Sequence, residues 1–163
     1  MPTHPLEQLS VQFPEGVYAD VRFERTIDHS ITLRDGSLDD VQSKTETGAL
    51  LRVLKGGRWY YACTTDLEKI NETLVELAAS DALAGGGPAD VTDRYKIHQD
   101  KVWVFDDERV DEVPLKDKID LLRLHAKQLE RPSIKTWTAR WIDQHRDRRF
   151  VSSLGADVSH DYQ

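Results

Sequence analysis

Between positions 19 and 33 the apolar residues keep to odd numbers. Ala19, Val21, Phe23, Ile27, Ile31 and Leu33 alternate with Asp20, Arg22, Glu24, Thr26, Asp28, Ser30 and Thr32. A period of two predicts one long half-buried strand, or two strands bent into each other. Arg25 and His29 break the apolar parity, which predicts a bend or bulge near them. Asp35-Gly36 predicts a tight hairpin turn, because both residues tolerate positive φ. The return strand, 38–46, is mostly polar and reads as an edge or partly exposed strand.

A second hairpin follows in "TGALLRVLKGGRWYYACT". Its turn falls at Gly56-Gly57, which sets Leu54 opposite Trp59, Val53 opposite Tyr60 and Leu51 opposite Ala62. Both parities are apolar here, so these are expected to be central strands covered on part of both faces. Thr65 and Glu68 fit a capping box that opens a helix over 66–84. Leu67, Ile70, Leu74, Leu77 and Ala78 form its apolar stripe. Gly85-Gly86-Gly87-Pro88 ends it. A glycine run after a helix, with no Lys-Ser/Thr behind it, reads as a connection and not as a phosphate loop.

Residues 102–105 form a short strand candidate. Pro114 precedes a second helix carrying Leu115, Ile119, Leu122, Ala126 and Leu129, and Pro132 stops it. Alternation over 134–142 predicts a further strand, a hairpin through 144–147 and a return at 150–152. Leu154-Gly155-Ala156 turns again, and Val158 begins a last strand that lacks its neighbour. The expected fold class is therefore α+β: a mostly antiparallel sheet built from hairpins, with two main helices packed on it. Residues 1–16, with three prolines, read as a loosely ordered leader. Residues 17–163 read as one domain, expected to be a fragment of a longer protein.

Composition narrows the function. The chain has 163 residues, 39% apolar and 31% charged, which suits one globular domain. No apolar run approaches the roughly 20 residues needed to span a bilayer. No signal peptide is visible at the start. One cysteine, Cys63, excludes an internal disulfide framework and points to a reducing, cytoplasmic setting. A net charge of −7 argues against general affinity for nucleic acid or anionic membrane.

Candidate chemistry is sparse. The six histidines, His4, His29, His98, His125, His145 and His160, form no His-Glu-x-x-His pair. Asp143, His145 and Asp147 alternate at the expected hairpin, either as a metal site or, the favoured reading, as a solvated tip. Cys63 has no base evident in sequence and reads as a strand-end thiol. Ser152-Ser153 sits near a turn without a nucleophile-elbow pattern. Arg140, Arg146, Arg148 and Arg149, interleaved with Trp137 and Trp141, suggest a nucleic-acid surface that Asp143 and Asp147 dilute. No catalytic, cofactor-binding or metal-binding residue is assigned.

A set of short motifs adds a resemblance. Tyr18-Ala19-Asp20, Arg34-Asp35-Gly36, Gly48, Arg52-Val53, Gly57-Arg58-Trp59 and Ala62-Cys63-Thr64-Thr65-Asp66-Leu67 occur in that order. So do "PLKDKIDLLR" and "RRFVSSLGADV". The pattern resembles the N-terminal domain of the TldD/PmbA family, described as modulators of DNA gyrase and as zinc peptidases. The resemblance implies a longer parent whose C-terminal domain carries a zinc-binding histidine-glutamate-x-x-x-histidine helix, in which metal polarises a peptide carbonyl and activates water. No such motif lies in this chain, so the resemblance assigns it no cofactor; some relatives lack the motif and pair with a metal-bearing subunit. It further implies a peptide substrate, a homodimer or a pairing with a paralogous subunit, and N-terminal domains that wall the substrate chamber. The alternative, from another class, is a stand-alone interaction module or a gyrase-associated accessory domain.

Overall fold

The computed structural model describes residues 5–80, 94–105 and 107–163. The glycine run at 85–88 lies outside them. Six strands form one sheet in the order β3-β2-β1-β5-β6-β4. They are β1 (Tyr18–Arg34), β2 (Ser37–Lys55), β3 (Arg58–Thr64), β4 (Gln99–Val102), β5 (Thr138–Ser152) and β6 (Asp157–Tyr162), with helices α1 (Ile70–Ala79) and α2 (Leu115–Ala126). The sheet is mostly antiparallel with two main helices, an α+β fold as expected. The β4–β6 pair is parallel.

The chain divides into two compact units. The first comprises Met1–Arg25, Thr47–Trp103 and Asp147–Asp161; the second comprises Thr26–Glu46, Val104–Arg146 and Tyr162–Gln163. In the first unit Ala19, Val21, Phe23, Leu51 and Val53 face Ile70 and Leu74 of α1 in one apolar cluster. Pro5–Gln8 makes a 3-10 turn that buries Leu6 in the same cluster. In the second unit Ile31 and Leu33 pack against Leu122 and Ala126 of α2, joined by Trp137 and Trp141.

Several expectations hold and others shift. The Asp35-Gly36 turn has φ of 47° and 84°, the double positive φ of a tight hairpin. The second hairpin has the expected register: Leu54 opposite Trp59, Val53 opposite Tyr60, Leu51 opposite Ala62. β1 is a single 17-residue strand, with His29 buried and Arg25 partly buried on its odd parity. The polar side chains on that parity find ionic partners: Asp147 for Arg25 and Asp143 for His29. β3 is the sheet edge and not a central strand, with Tyr61 exposed.

The capping box also shifts. Asp66, not Thr65, caps the helical segment by accepting from Glu68 N at 3.3 Å, and Thr64 Oγ1 accepts from Asp66 N at 2.9 Å. A 3-10 turn, Leu67–Lys69, precedes α1. The strand expected at 102–105 lies at Gln99–Val102 instead. β5 runs 15 residues straight through 144–147, so no hairpin interrupts it. β6 has β4 beside it over 157–160, so the last strand does have a neighbour there.

Leu74 is fully buried in the first unit's core, whereas Val75 beside it is exposed. Leu74→Ala is expected to cost about 2–5 kcal/mol through lost transfer energy and a residual cavity. Val75→Ala is expected to stay within about 0.5 kcal/mol. Urea unfolding monitored by circular dichroism measures both; equal costs would mean that α1 does not pack as described.

Candidate functional site

The apolar cluster of the first unit takes the odd-numbered side chains of β1. Alternation therefore sends the even-numbered ones to the opposite face. At one end of that face Asp20 is fully buried and binds Arg52 through two hydrogen bonds, from Nε at 2.8 Å and from Nη2 at 2.6 Å. The bond to Asp20 raises the guanidinium's affinity for its proton. Trp59 lies under that guanidinium at 4.7 Å, and Tyr18 meets Trp59 and Tyr95 edge-on at 5.7 and 5.2 Å. Burial, with Asp20 nearby, pushes the Tyr18 hydroxyl above its ordinary range.

Further along the same face a cavity of about 920 Å³ opens, lined by Arg22, Glu24, Leu50, Cys63, Phe150 and His160 among others. Arg148 Nε donates to Glu24 at 2.5 Å, and Arg22 stands over the Phe150 ring at 5.7 Å. A second cavity of about 440 Å³ adjoins it, sharing Arg22 and Phe150 and reaching Tyr18, Arg52, Arg94 and Lys96. Together they form a groove on the first unit's sheet face. This is the strongest candidate for a binding site among the described residues.

The residues singled out from sequence are placed elsewhere or in other roles. Asp143, His145 and Asp147 are not a solvated tip; they point inward from mid-strand. Asp147 is fully buried and accepts from Arg25 at 3.3 Å in the first unit. Asp143, in the second unit, accepts from Lys118 Nζ at 3.1 Å and from Trp141 Nε1 at 2.5 Å. His29 Nδ1 lies 2.8 Å from Asp143 Oδ1 and 2.9 Å from Lys118 Nζ; it either donates its proton to Asp143 or, unprotonated, accepts from Lys118, and it cannot do both at once. His145 lies 3.7 Å from Asp111, which binds Arg109 through two bonds. Among the described residues no three His, Cys, Asp or Glu side chains gather as a metal site.

Cys63 is exposed at the end of β3 on the groove wall, and its thiol makes no hydrogen bond among the described residues. Ser152 Oγ accepts from Ala156 N, and Ser153 Oγ accepts from Ala19 N at 3.0 Å, so both hydroxyls hold the turn in place. The arginines do not form the tryptophan-interleaved surface that the sequence offered as a disfavoured alternative. Arg140 donates to Ser30, Arg146 to Gln144, and Arg149 to Asp157 and to the carbonyls of Leu6 and Leu9. Trp137 and Trp141 pack with α2. Sequence reasoning missed Lys118, a fully buried lysine within an amphipathic helix, and the groove itself. The signal for Lys118 was its place on the Leu115–Ile119–Leu122 stripe.

Residues 19–84 match the family model described as PmbA/TldA metallopeptidase domain 1. Over those residues the chain is similar to PmbA/TldD first domains. A protein from Methanothermobacter thermautotrophicus described as a metalloprotease is 26% identical over 147 residues, 85% of this chain and 30% of that protein. Two solved structures share the fold, each of a protein described as a candidate modulator of DNA gyrase. One, from Thermotoga maritima, has a TM-score of 0.64 at 22% identity, covering 90% of this chain and 33% of that one. The other, from Bacteroides thetaiotaomicron, has a TM-score of 0.62 at 19% identity, covering 88% and 34%. TldE from Thermococcus kodakarensis has a TM-score of 0.52 at 12% identity, covering 88% and 33%. The chain thus spans about a third of the length of the relatives it matches.

The short motifs that carry the similarity have physical roles here. Asp20 and Arg52 are the buried ion pair that joins β1 to β2. Gly48 leaves room for the Thr64 carbonyl, which an added Cβ would meet at 3.2 Å. Asp35 accepts from Trp137 N at 2.7 Å and so joins the first hairpin turn to the segment before β5.

The second unit's ion cluster yields a pH-dependent outcome. Burial would raise the Asp143 carboxyl, but hydrogen bonds from Trp141, His29 and Lys118 outweigh it and hold the group below the usual carboxylate range. A depressed folded value means the stabilisation is present above the unfolded value and is lost as pH falls through the folded one. Lys118→Met removes the cation, and is expected to cost about 3–5 kcal/mol and to move acid unfolding to higher pH. Tryptophan fluorescence during urea unfolding across a pH series measures both. An unchanged acid limb would mean that Lys118 does not hold Asp143.

Proposed function

We propose that this chain is the N-terminal, non-catalytic part of a PmbA/TldD-type zinc peptidase. It pairs subunits and walls the chamber in which peptides are hydrolysed. The observation that carries this reading is the match of residues 19–84 to a metallopeptidase first domain, in a chain that spans about a third of its relatives. The described residues offer zinc no gathered ligand set. The reading therefore gives this chain scaffold work and leaves the metal to residues beyond it or to a paralogous subunit.

Two features support the pairing. β2 carries β3 opposite only residues 49–55, so its 37–48 half has no β3 partner, and Leu38 and Val41 are exposed there. Unpaired strand edges and exposed apolar side chains favour association. Among the described residues no helix is long and apolar enough to cross a membrane.

Peptide hydrolysis by the full-length protein is expected, with loss on chelation and recovery on adding zinc. The 163-residue chain is expected to hydrolyse nothing and to retain no stoichiometric zinc after dialysis. One tightly held zinc per chain would overturn the scaffold reading. Light scattering across a concentration series is expected to reveal self-association, or association with a paralogous subunit. A strict monomer with no affinity for such a subunit would remove the pairing role.

A further inference from the structure

The groove on the first unit's sheet face carries an unusual imbalance of charge. The smaller cavity is walled by Arg22, Arg52, Arg94 and Lys96, and no carboxylate lines it among the described residues. Arg52 is neutralised by Asp20. Arg22, Arg94 and Lys96 are exposed and have no ion partner among the described residues. This local excess of positive charge sits in a chain whose net charge is −7. The larger cavity is different in kind: Leu50 and Phe150 give it apolar walls, Thr64 and Thr65 supply hydroxyls, and its Glu24 is already bound by Arg148.

Resting on the peptidase reading above, we infer that this groove binds peptides with acidic side chains or a free C-terminal carboxylate. The carboxylate takes Arg22, Arg94 and Lys96, and neighbouring apolar side chains lie against Leu50 and Phe150. Arg22 belongs to both cavities and joins the two halves of the recognition. Its guanidinium over Phe150 keeps the donor fork near an apolar wall, a setting in which arginine binds carboxylate well. A polyanion such as nucleic acid fits less well. It would need many phosphate contacts against a net-negative chain, and Glu24 and the apolar wall oppose it. At about 920 and 440 Å³ the two cavities have room for several residues of extended peptide.

Isothermal titration calorimetry of the 163-residue chain tests this with three probes: a short peptide alternating leucine and aspartate, the same peptide with asparagine for aspartate and an amidated end, and a short single-stranded oligonucleotide. The acidic peptide is expected to bind about tenfold tighter than its neutral counterpart, and to weaken as salt rises. Arg22→Gln and, separately, Lys96→Gln are expected to weaken it by about five- to tenfold, with the thermal midpoint unchanged because both side chains are exposed. Arg58→Gln, outside the groove, is expected to change nothing.

Equal binding of the two peptides, no binding of either, or indifference to both groove substitutions would overturn the inference. Tighter binding of the oligonucleotide would overturn it in favour of a phosphate ligand. The two readings fail separately. Chelator-sensitive hydrolysis by the full-length protein without acidic-peptide binding by this chain sinks the groove alone. Binding here with no hydrolysis there supports the groove and sinks the peptidase.

Discussion

A charge taken out of water needs a counter-charge beside it, and β5 carries three such demands, and a buried histidine, on one parity. Asp143, His145, Asp147 and Arg149 all turn inward from that strand. Each has partners outside its own strand, from eight residues away to more than a hundred. Arg25 reaches Asp147, Lys118 and His29 reach Asp143, Asp111 lies near His145, and Asp157 with the carbonyls of Leu6 and Leu9 takes up Arg149. Within the first unit these bonds fix β1, the N-terminal turn and β6 against β5. Within the second they fix β1 and α2 against it. Apolar packing says which faces are hidden; the ion pairs say which residue must lie opposite which.

That division explains what the sequence disclosed. Local geometry was legible: two glycine-containing turns, a three-pair hairpin register and two helical stripes all follow from periods and turn residues within one segment. The polar interior was not. Arg25 and His29 looked like interruptions of a strand, because their partners lie more than a hundred residues away. The alternation of Asp143, His145 and Asp147 looked like a hairpin tip, because charged residues in a strand are usually solvated. Lys118 sat unnoticed on an apolar stripe for the same reason. The edge position of β3 was equally hidden, since Trp59 and Tyr60 are as apolar as residues of a central strand, and Tyr18 and Tyr61 give Trp59 its aromatic neighbours.

The groove shows the same limit from the other side. Its walls come from β1, β2, β3, β5 and β6, with Arg94 to Ile97 contributed by the segment before β4. No single stretch of sequence holds more than a few of its residues. What the motifs did hold was the support beneath it: the Asp20–Arg52 pair and the side-chain-free Gly48 set the spacing of β1, β2 and β3 on which the groove is built. The motifs legible in the sequence thus belong to the frame, and the groove is what that frame presents.

The position of Cys63 has a practical consequence. It is the single thiol of the chain, it is exposed, and it stands on the wall of the larger cavity. A maleimide dye or a nitroxide spin label can therefore be attached at that one point without first removing other cysteines. Such a reporter would sit beside the groove in the unaltered sequence, where a change in its mobility or emission reads occupancy of the face directly.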